Sequence, residues 1–294
     1  MERTYQLSPW KRSGGEEILR EERFVGAGGN VLPLLRFPLL SQCAFVSHCF
    51  TTRGGGVSTG VCGSLNLSFS RGDAPQAVEE NFRRVAEAFG VTPAQIVCSM
   101  QTHTTNVRRV GRDDAGAGVV SPLPWSDVDG LITDEPGILL ATFYADCVPL
   151  YFVDPVHRAI GLSHSGWRGT AARMGTLTVR AMKDAFGTRP EELLCAIGPS
   201  ICQDCYEVGG DVAEQFSDGF SQADGALLRV GGDGAFHLNL WEANRQVLLS
   251  AGVRGDRIQT TDICTCCNPD NLFSHRYTKG RRGNLGAFLM LNPC

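Results

Sequence analysis

The feature that most constrains this chain is a group of four strand-like runs in its middle, Gly130–Thr133, Ile138–Phe143, Val148–Val153 and Ala159–Ser163. Each is short and apolar with β-branched or aromatic residues, and only a few residues separate one from the next. They form the centre of a sheet. Further strands are expected at Cys43–Thr52, Ile96–Met100, Leu193–Ile197 and Phe288–Leu291. Helical spacing of apolar residues marks Asp73–Phe89 and Thr170–Phe186, closed by Gly90 and Gly187, and two further helices at Val208–Phe216 and Leu240–Ala251. The elements are mixed without strict alternation. The expected class is therefore α/β of the layered α+β kind, a single domain with one central mixed sheet flanked by helices, and not a doubly wound nucleotide fold. Residues 1–24 are polar and aperiodic and read as an irregular N-terminal extension, leaving 25–294 as the domain.

Charge narrows the partners. A net charge of −4 over 294 residues gives no basic face for a phosphate backbone, so a small-molecule substrate is expected and no nucleic acid. No apolar run approaches the roughly 18 residues that cross a bilayer, and the N-terminus has no apolar signal region, so the expectation is a cytoplasmic protein with no membrane partner, a monomer or small homo-oligomer. In that compartment the twelve cysteines read as buried thiols and metal ligands, not disulfides.

Three predicted strands each run into a soft or imidazole donor: Gln101-Thr102-His103, Ala145-Asp146-Cys147 and Ser163-His164-Ser165. Two imidazoles and one thiolate suit Zn²⁺, and the missing fourth ligand is what distinguishes a catalytic site from a closed structural one. Spacing alone matches no local zinc pattern, and a strand-end cysteine or a lone histidine is equally at home in a core.

The segments Gln101-x-His103, Asp129-Gly130-x-x-Thr133, Ala145-Asp146-Cys147-x-Pro149, His164-x-Gly166-Trp167-Arg168-Gly169 and Ile197-Gly198-Pro199-Ser200-Ile201 together resemble the laccase-domain family. That family was first named for multicopper polyphenol oxidases and later recognised as purine nucleoside phosphorylases. The likeness extends to Thr52-Arg53-x-Gly55-Gly56-Val57-Ser58, Ser64-Leu65-Asn66 and Cys264-Thr265. The resemblance implies zinc held by His103, Cys147 and His164. It also implies phosphorolysis of adenosine, inosine, guanosine and methylthioadenosine, and hydrolytic deamination of adenosine. Two departures stand out. Thr104 replaces a usual glycine, which makes the pocket fuller, and Phe273-Ser274-His275-Arg276-Tyr277 replaces Phe-Ser-Tyr-Arg-Arg, which would shift substrate preference.

Roles follow from the chemistry. Asp146 is a candidate proton shuttle, or else an acceptor orienting one of the imidazoles. Arg53, Arg168 and Arg276 are candidates for phosphate, with Arg53 opening a glycine-rich loop shaped to approach a ligand. Ser64 and Asn66 are placed on ribose or phosphate, or else as turn caps, and Gln101 is counted with the substrate contacts. Trp167 stacks on a purine or packs. Three alternatives stay open: a cysteine hydrolase using a Cys147/His164 dyad on an amide or ester, a copper-dependent polyphenol oxidase, and a non-catalytic metal-stabilised binding module. Cys202, Cys205, Cys264, Cys266 and Cys267 form two short-spaced groups that would suit a second, closed zinc site.

Overall fold

A computed structural model describes residues 7–14, 17–220, 226–232 and 234–293. The central strand-like runs do not all join one sheet. β6 (Gly130–Thr133), β8 (Val148–Asp154) and β9 (Ala159–Ser165) lie in one sheet, while β7 (Leu139–Tyr144) lies in another. The first sheet has the order β1 (Arg20–Val25), β2 (Val31–Arg36), β3 (Val46–Thr51), β15 (Leu285–Leu291), β7 and β4 (Ile96–Cys98). Its neighbours are antiparallel except β4 and β7. The second has the order β14 (Ile258–Thr260), β10 (Leu194–Ile197), β8, β9, β6 and β5 (Val107–Arg109), parallel only at its two edges. A small third sheet pairs β11 (Glu207–Val208), β13 (Phe236–Leu238) and β12 (Leu228–Val230).

The two large sheets pack face to face. Because alternate side chains leave a strand on opposite faces, Leu289 of β15 and Leu140 of β7 enter the same buried cluster as Tyr151 and Val153 of β8 and Leu162 of β9. Burial of each such side chain contributes about 1.5–3 kcal/mol. The Tyr151 hydroxyl crosses this core to donate to the Cys49 carbonyl at 2.8 Å, satisfying a polar group that burial would otherwise penalise. On the outer face of the first sheet, Phe288 and Met290 meet Val78, Phe82 and Val85 of α2 (Pro75–Ala88). On that of the second, Leu150 and Phe152 meet Val179 and Met182 of α4 (Met174–Phe186) and Val247 and Leu248 of α6 (Leu240–Ser250). The result is a single mixed α/β domain of four layers, helix, sheet, sheet, helix. The minor helices are α1 (Pro38–Ser41), α3 (Trp167–Ala171), α5 (Gly210–Gly219) and α7 (His275–Thr278).

Three expectations need correction. The single central sheet is two sheets, since pairing of β15 between β3 and β7 depends on contacts across the whole chain. The helix expected over 170–186 is two helices, broken where Arg173 takes a left-handed backbone conformation. The stretch before residue 25 is not all extension. Strand β1 begins at Arg20, Leu19 is fully buried, and the side-chain amides of Asn268 and Asn271 pair with the backbone of Lys11 and Ser8 as a strand would. Residues 1–6, 15 and 16 of that stretch lie outside the described residues.

Candidate metal centre

The chain passes from the first sheet to the second in two places, and each crossing carries a donor. The turn Ala145-Asp146-Cys147 joins β7 to β8, and its corner is Asp146 with φ of 89°. The loop from β4 to β5 carries His103, also left-handed at φ 65°. His164 lies within β9, opposite Pro149, and not beyond the strand end as expected. The Nδ1 or Nε2 of both histidines and the Cys147 Sγ fall within 4.8 Å of one another. The His103 and His164 rings are 5.0 Å apart at 82°.

This triangle is held by a residue that sequence reasoning quoted in a motif but gave no role. Asp129, fully buried just before β6, accepts from His164 Nδ1 at 2.7 Å and from the amides of Thr102, His103 and Thr104 at 3.0, 3.2 and 3.0 Å. A carboxylate here can only accept, so His164 carries its proton on Nδ1 and directs Nε2 into the site. Three successive amides on one carboxylate also explain why His103 tolerates its unusual backbone conformation. Burial alone would raise the Asp129 carboxyl, but the His164 hydrogen bond and charge and the Thr102 and Thr104 amides hold it below the ordinary value. Thr104, where a glycine was the usual residue, adds its own hydroxyl to Asp129 at 3.0 Å and does not line the cavity over the site.

Electrostatics bind the triangle together. Burial raises the Cys147 thiol, yet the His164 charge and hydrogen bonds from both histidines outweigh it and bring it to about 6. Burial lowers His164, while Cys147 and Asp129 raise it to about 9. The donors therefore favour a thiolate beside charged or metal-bound imidazoles. Gly166 permits their closeness: a methyl there would sit 3.1 Å from Cys147 Sγ and 3.2 Å from His103 Cδ2. Two imidazoles and a thiolate, with an outer carboxylate fixing one tautomer, fit a borderline-soft divalent ion such as zinc, and copper ligand chemistry overlaps with this set.

The donors open into a cavity of about 350 Å³. Leu67, Phe82, Leu123 and Phe143 give it an apolar wall, and Arg71 and Arg282 supply its positive charge. Arg282 is only 8% exposed, its Nε has no hydrogen-bond partner, and neither arginine forms an ion pair among the described residues. Burial, then the neighbouring Arg71 charge, draw Arg282 down to about 10, so it remains cationic at neutral pH. Nothing in their local sequence marked these two arginines, because their motif carries no pattern and only the cavity unites them.

The other expected contacts are elsewhere. Arg53 donates to the Gly63 and Pro269 carbonyls and lies over the Phe273 ring, outside the cavity lining. The glycines of its loop approach the chain's own backbone: a methyl on Gly55 would meet the Val31 carbonyl at 2.5 Å, and one on Gly56 the Ser64 carbonyl at 2.2 Å. Ser64 and Asn66 act within that turn, Ser64 between the Gly56 amide and the Arg53 carbonyl, Asn66 between Asp73, Ser68 and the Asn284 amide. Arg168 is exposed over its neighbour Trp167, whose ring packs on the second core and not in the cavity. Arg276 is exposed, donating to the Glu207 carbonyl. Gln101 does line the cavity, and its amide pairs with both backbone groups of Phe143 at 2.7 Å. Asp146 orients neither imidazole; Asp129 does. The Asp146 carboxylate accepts from Thr265 Oγ1 at 2.6 Å and from the Arg276 amide at 2.7 Å, so Asp146 anchors α7.

The fold and this seam define a layered α/β protein with three converging donors that could hold a metal ion. Residues 47–292 match the family described as multi-copper polyphenol oxidoreductase laccase, and the chain belongs to it. It is 40% identical over 260 residues to a purine nucleoside phosphorylase of Deinococcus radiodurans, spanning 88% of this chain and 93% of that protein. It is 33% identical over 233 residues to an adenosine deaminase of an unknown prokaryotic organism, spanning 77% and 86%. The crystal structure of YlmD from Geobacillus stearothermophilus matches with a TM-score of 0.85 at 34% identity, covering 95% of this chain and 100% of that one.

Proposed function

We propose that this is a cytoplasmic, zinc-dependent purine nucleoside phosphorylase acting on adenosine, inosine, guanosine and methylthioadenosine, and that it also deaminates adenosine. The observation that carries the reading is one cavity holding both an open donor triangle and two arginines that have no carboxylate partner among the described residues. A desolvated guanidinium with an unpartnered Nε suits a phosphate oxygen. The names of the relatives support a purine nucleoside substrate and adenosine deamination, and the free thiols of every described cysteine suit a reducing compartment.

His103, Cys147 and His164 would hold the ion, which when bound supplies Lewis acidity and lowers the pKa of a water to about 7. Phe82, Phe143 and Leu67 would cover the purine and exclude solvent. Arg282 and Arg71 would hold phosphate so that one oxygen attacks C1′ of the ribose as the N9–C1′ bond breaks, giving the free base and ribose 1-phosphate. Deamination needs only water at C6 with loss of ammonia, so it makes no demand on the arginines.

A second reading is favoured by one observation, the thiolate–imidazolium character of Cys147 and His164, which also suits a cysteine hydrolase. That dyad has no use for His103. A copper-dependent polyphenol oxidase rests on the family's description alone.

The test is product analysis with adenosine and phosphate, comparing wild type with Cys147→Ala and counting bound metal. Adenine with ribose 1-phosphate, or inosine, made only by wild type and accompanied by one more zinc per chain than the variant supports the proposal. Activity that survives complete metal removal sinks it in favour of the dyad.

A further inference from the structure

Away from the cavity, four cysteines from two loops converge. Cys202 and Cys205 frame a 3₁₀ turn after β10, and Cys264 and Cys267 lie in the loop after β14. Both pairs have the spacing C-x-x-C. All four Sγ atoms lie within 4.8 Å of one another, with Cys205 and Cys267 at 3.4 Å and Cys202 and Cys267 at 3.9 Å. Tetrahedral zinc with bonds of about 2.3 Å to sulfur places its ligands about 3.8 Å apart, so the observed separations match a tetrathiolate site. A disulfide would need about 2.05 Å. The Cys202 amide donates to Cys264 Sγ at 3.2 Å, a hydrogen bond that stabilises a thiolate. Cys266 is not part of the quartet.

From this geometry we infer that the protein carries a second, structural zinc ion, closed by Cys202, Cys205, Cys264 and Cys267. Its four ligands leave no position for substrate, which separates it from the open triangle. Loading exchanges four thiol protons for one Zn²⁺, and the protons pass to solvent. Cys205 and Cys267 also line a cavity of about 300 Å³ beside Lys11 and Asn268, a route by which the ion enters. The site clamps two loops that otherwise meet through the Ser200–Cys264 bridge. Thr265, held between the two cysteines of the second pair, donates to Asp146, the residue beside Cys147. The ion therefore stiffens the wall on which the catalytic thiolate is mounted.

The inference does not depend on the proposed activity. Full-length protein carrying His103→Ala and Cys147→Ala, which leaves the quartet untouched, is purified and assayed for metal, then loaded with cobalt. One zinc per chain and the intense visible bands of tetrahedral cobalt with four thiolates are expected, both lost when Cys267→Ser is added. Folded double variant that holds no zinc and gives no such spectrum overturns the inference, as does mass spectrometry finding a disulfide among the four cysteines.

Discussion

Asp129 accepts a 2.7 Å hydrogen bond from His164 Nδ1 while its two oxygens also hold the amides of Thr102, His103 and Thr104. One carboxylate thus positions two donors that arrive from different strands, β9 and the loop after β4. Asp129→Asn places an amide nitrogen among groups that only donate, or forces the imidazole to its other tautomer. We expect zinc affinity at the triangle to fall about 10- to 100-fold, read by competition with a chromophoric chelator. Unchanged affinity would remove Asp129 from the account.

Gly166 has an ordinary backbone conformation, so alanine there is free of backbone strain. The alanine methyl group would meet the three donor residues first, Cys147 and His103 foremost. Gly166→Ala is expected to lower metal content and turnover at least tenfold while the metal-free protein melts within a few degrees of wild type. A variant that keeps full metal would mean the ligands yield without cost.

In metal-free protein the pH dependence follows from two opposite shifts. Cys147 is lowered to about 6, so its contribution to stability is present above the ordinary thiol value and is lost as pH falls through 6. His164 is raised to about 9, so its contribution is present below the ordinary imidazole value and is lost as pH rises through 9. Each charge sustains the other, and losing either ends the pairing. Across that window the two contributions change in opposite directions and offset one another, so the melting temperature of the metal-free protein is expected to vary little between pH 6 and 9. Alkylation of Cys147, followed by mass spectrometry at that site, should reach half its limiting rate near pH 6; a midpoint above pH 8 contradicts the pairing.

Two arginines separate anion binding from architecture. Arg282→Met keeps volume in the buried position while removing the charge, and KM for phosphate is expected to rise at least tenfold with adenosine deamination little changed. Arg53→Ala removes two hydrogen bonds to carbonyls and the contact with Phe273, and should cost about 1–3 kcal/mol of stability in denaturant titration with phosphate KM unchanged. The opposite pattern would return the phosphate role to Arg53.

The strands and the donor residues were legible because they rest on local chemistry. β6 ends where the apolar run Gly130–Thr133 ends, α2 follows the spacing of Val78, Phe82 and Val85, and His103, Cys147 and His164 are soft or imidazole donors beside apolar runs. The family motifs added the assignment of those three as ligands. What tertiary structure decided is which distant groups meet. Apolar alternation tells that β7 and β8 are strands but not that they enter different sheets, because partner choice is made by β15, more than a hundred residues onward. An arginine's charge is visible in any sequence, whereas its partners are not: Arg53 is absorbed by the Gly63 and Pro269 carbonyls, and Arg282 is left with an unpartnered nitrogen beside the cavity. Likewise a carboxylate's role depends on which donors surround it, and folding surrounds Asp129 with an imidazole and three amides while directing Asp146 toward Thr265 and α7.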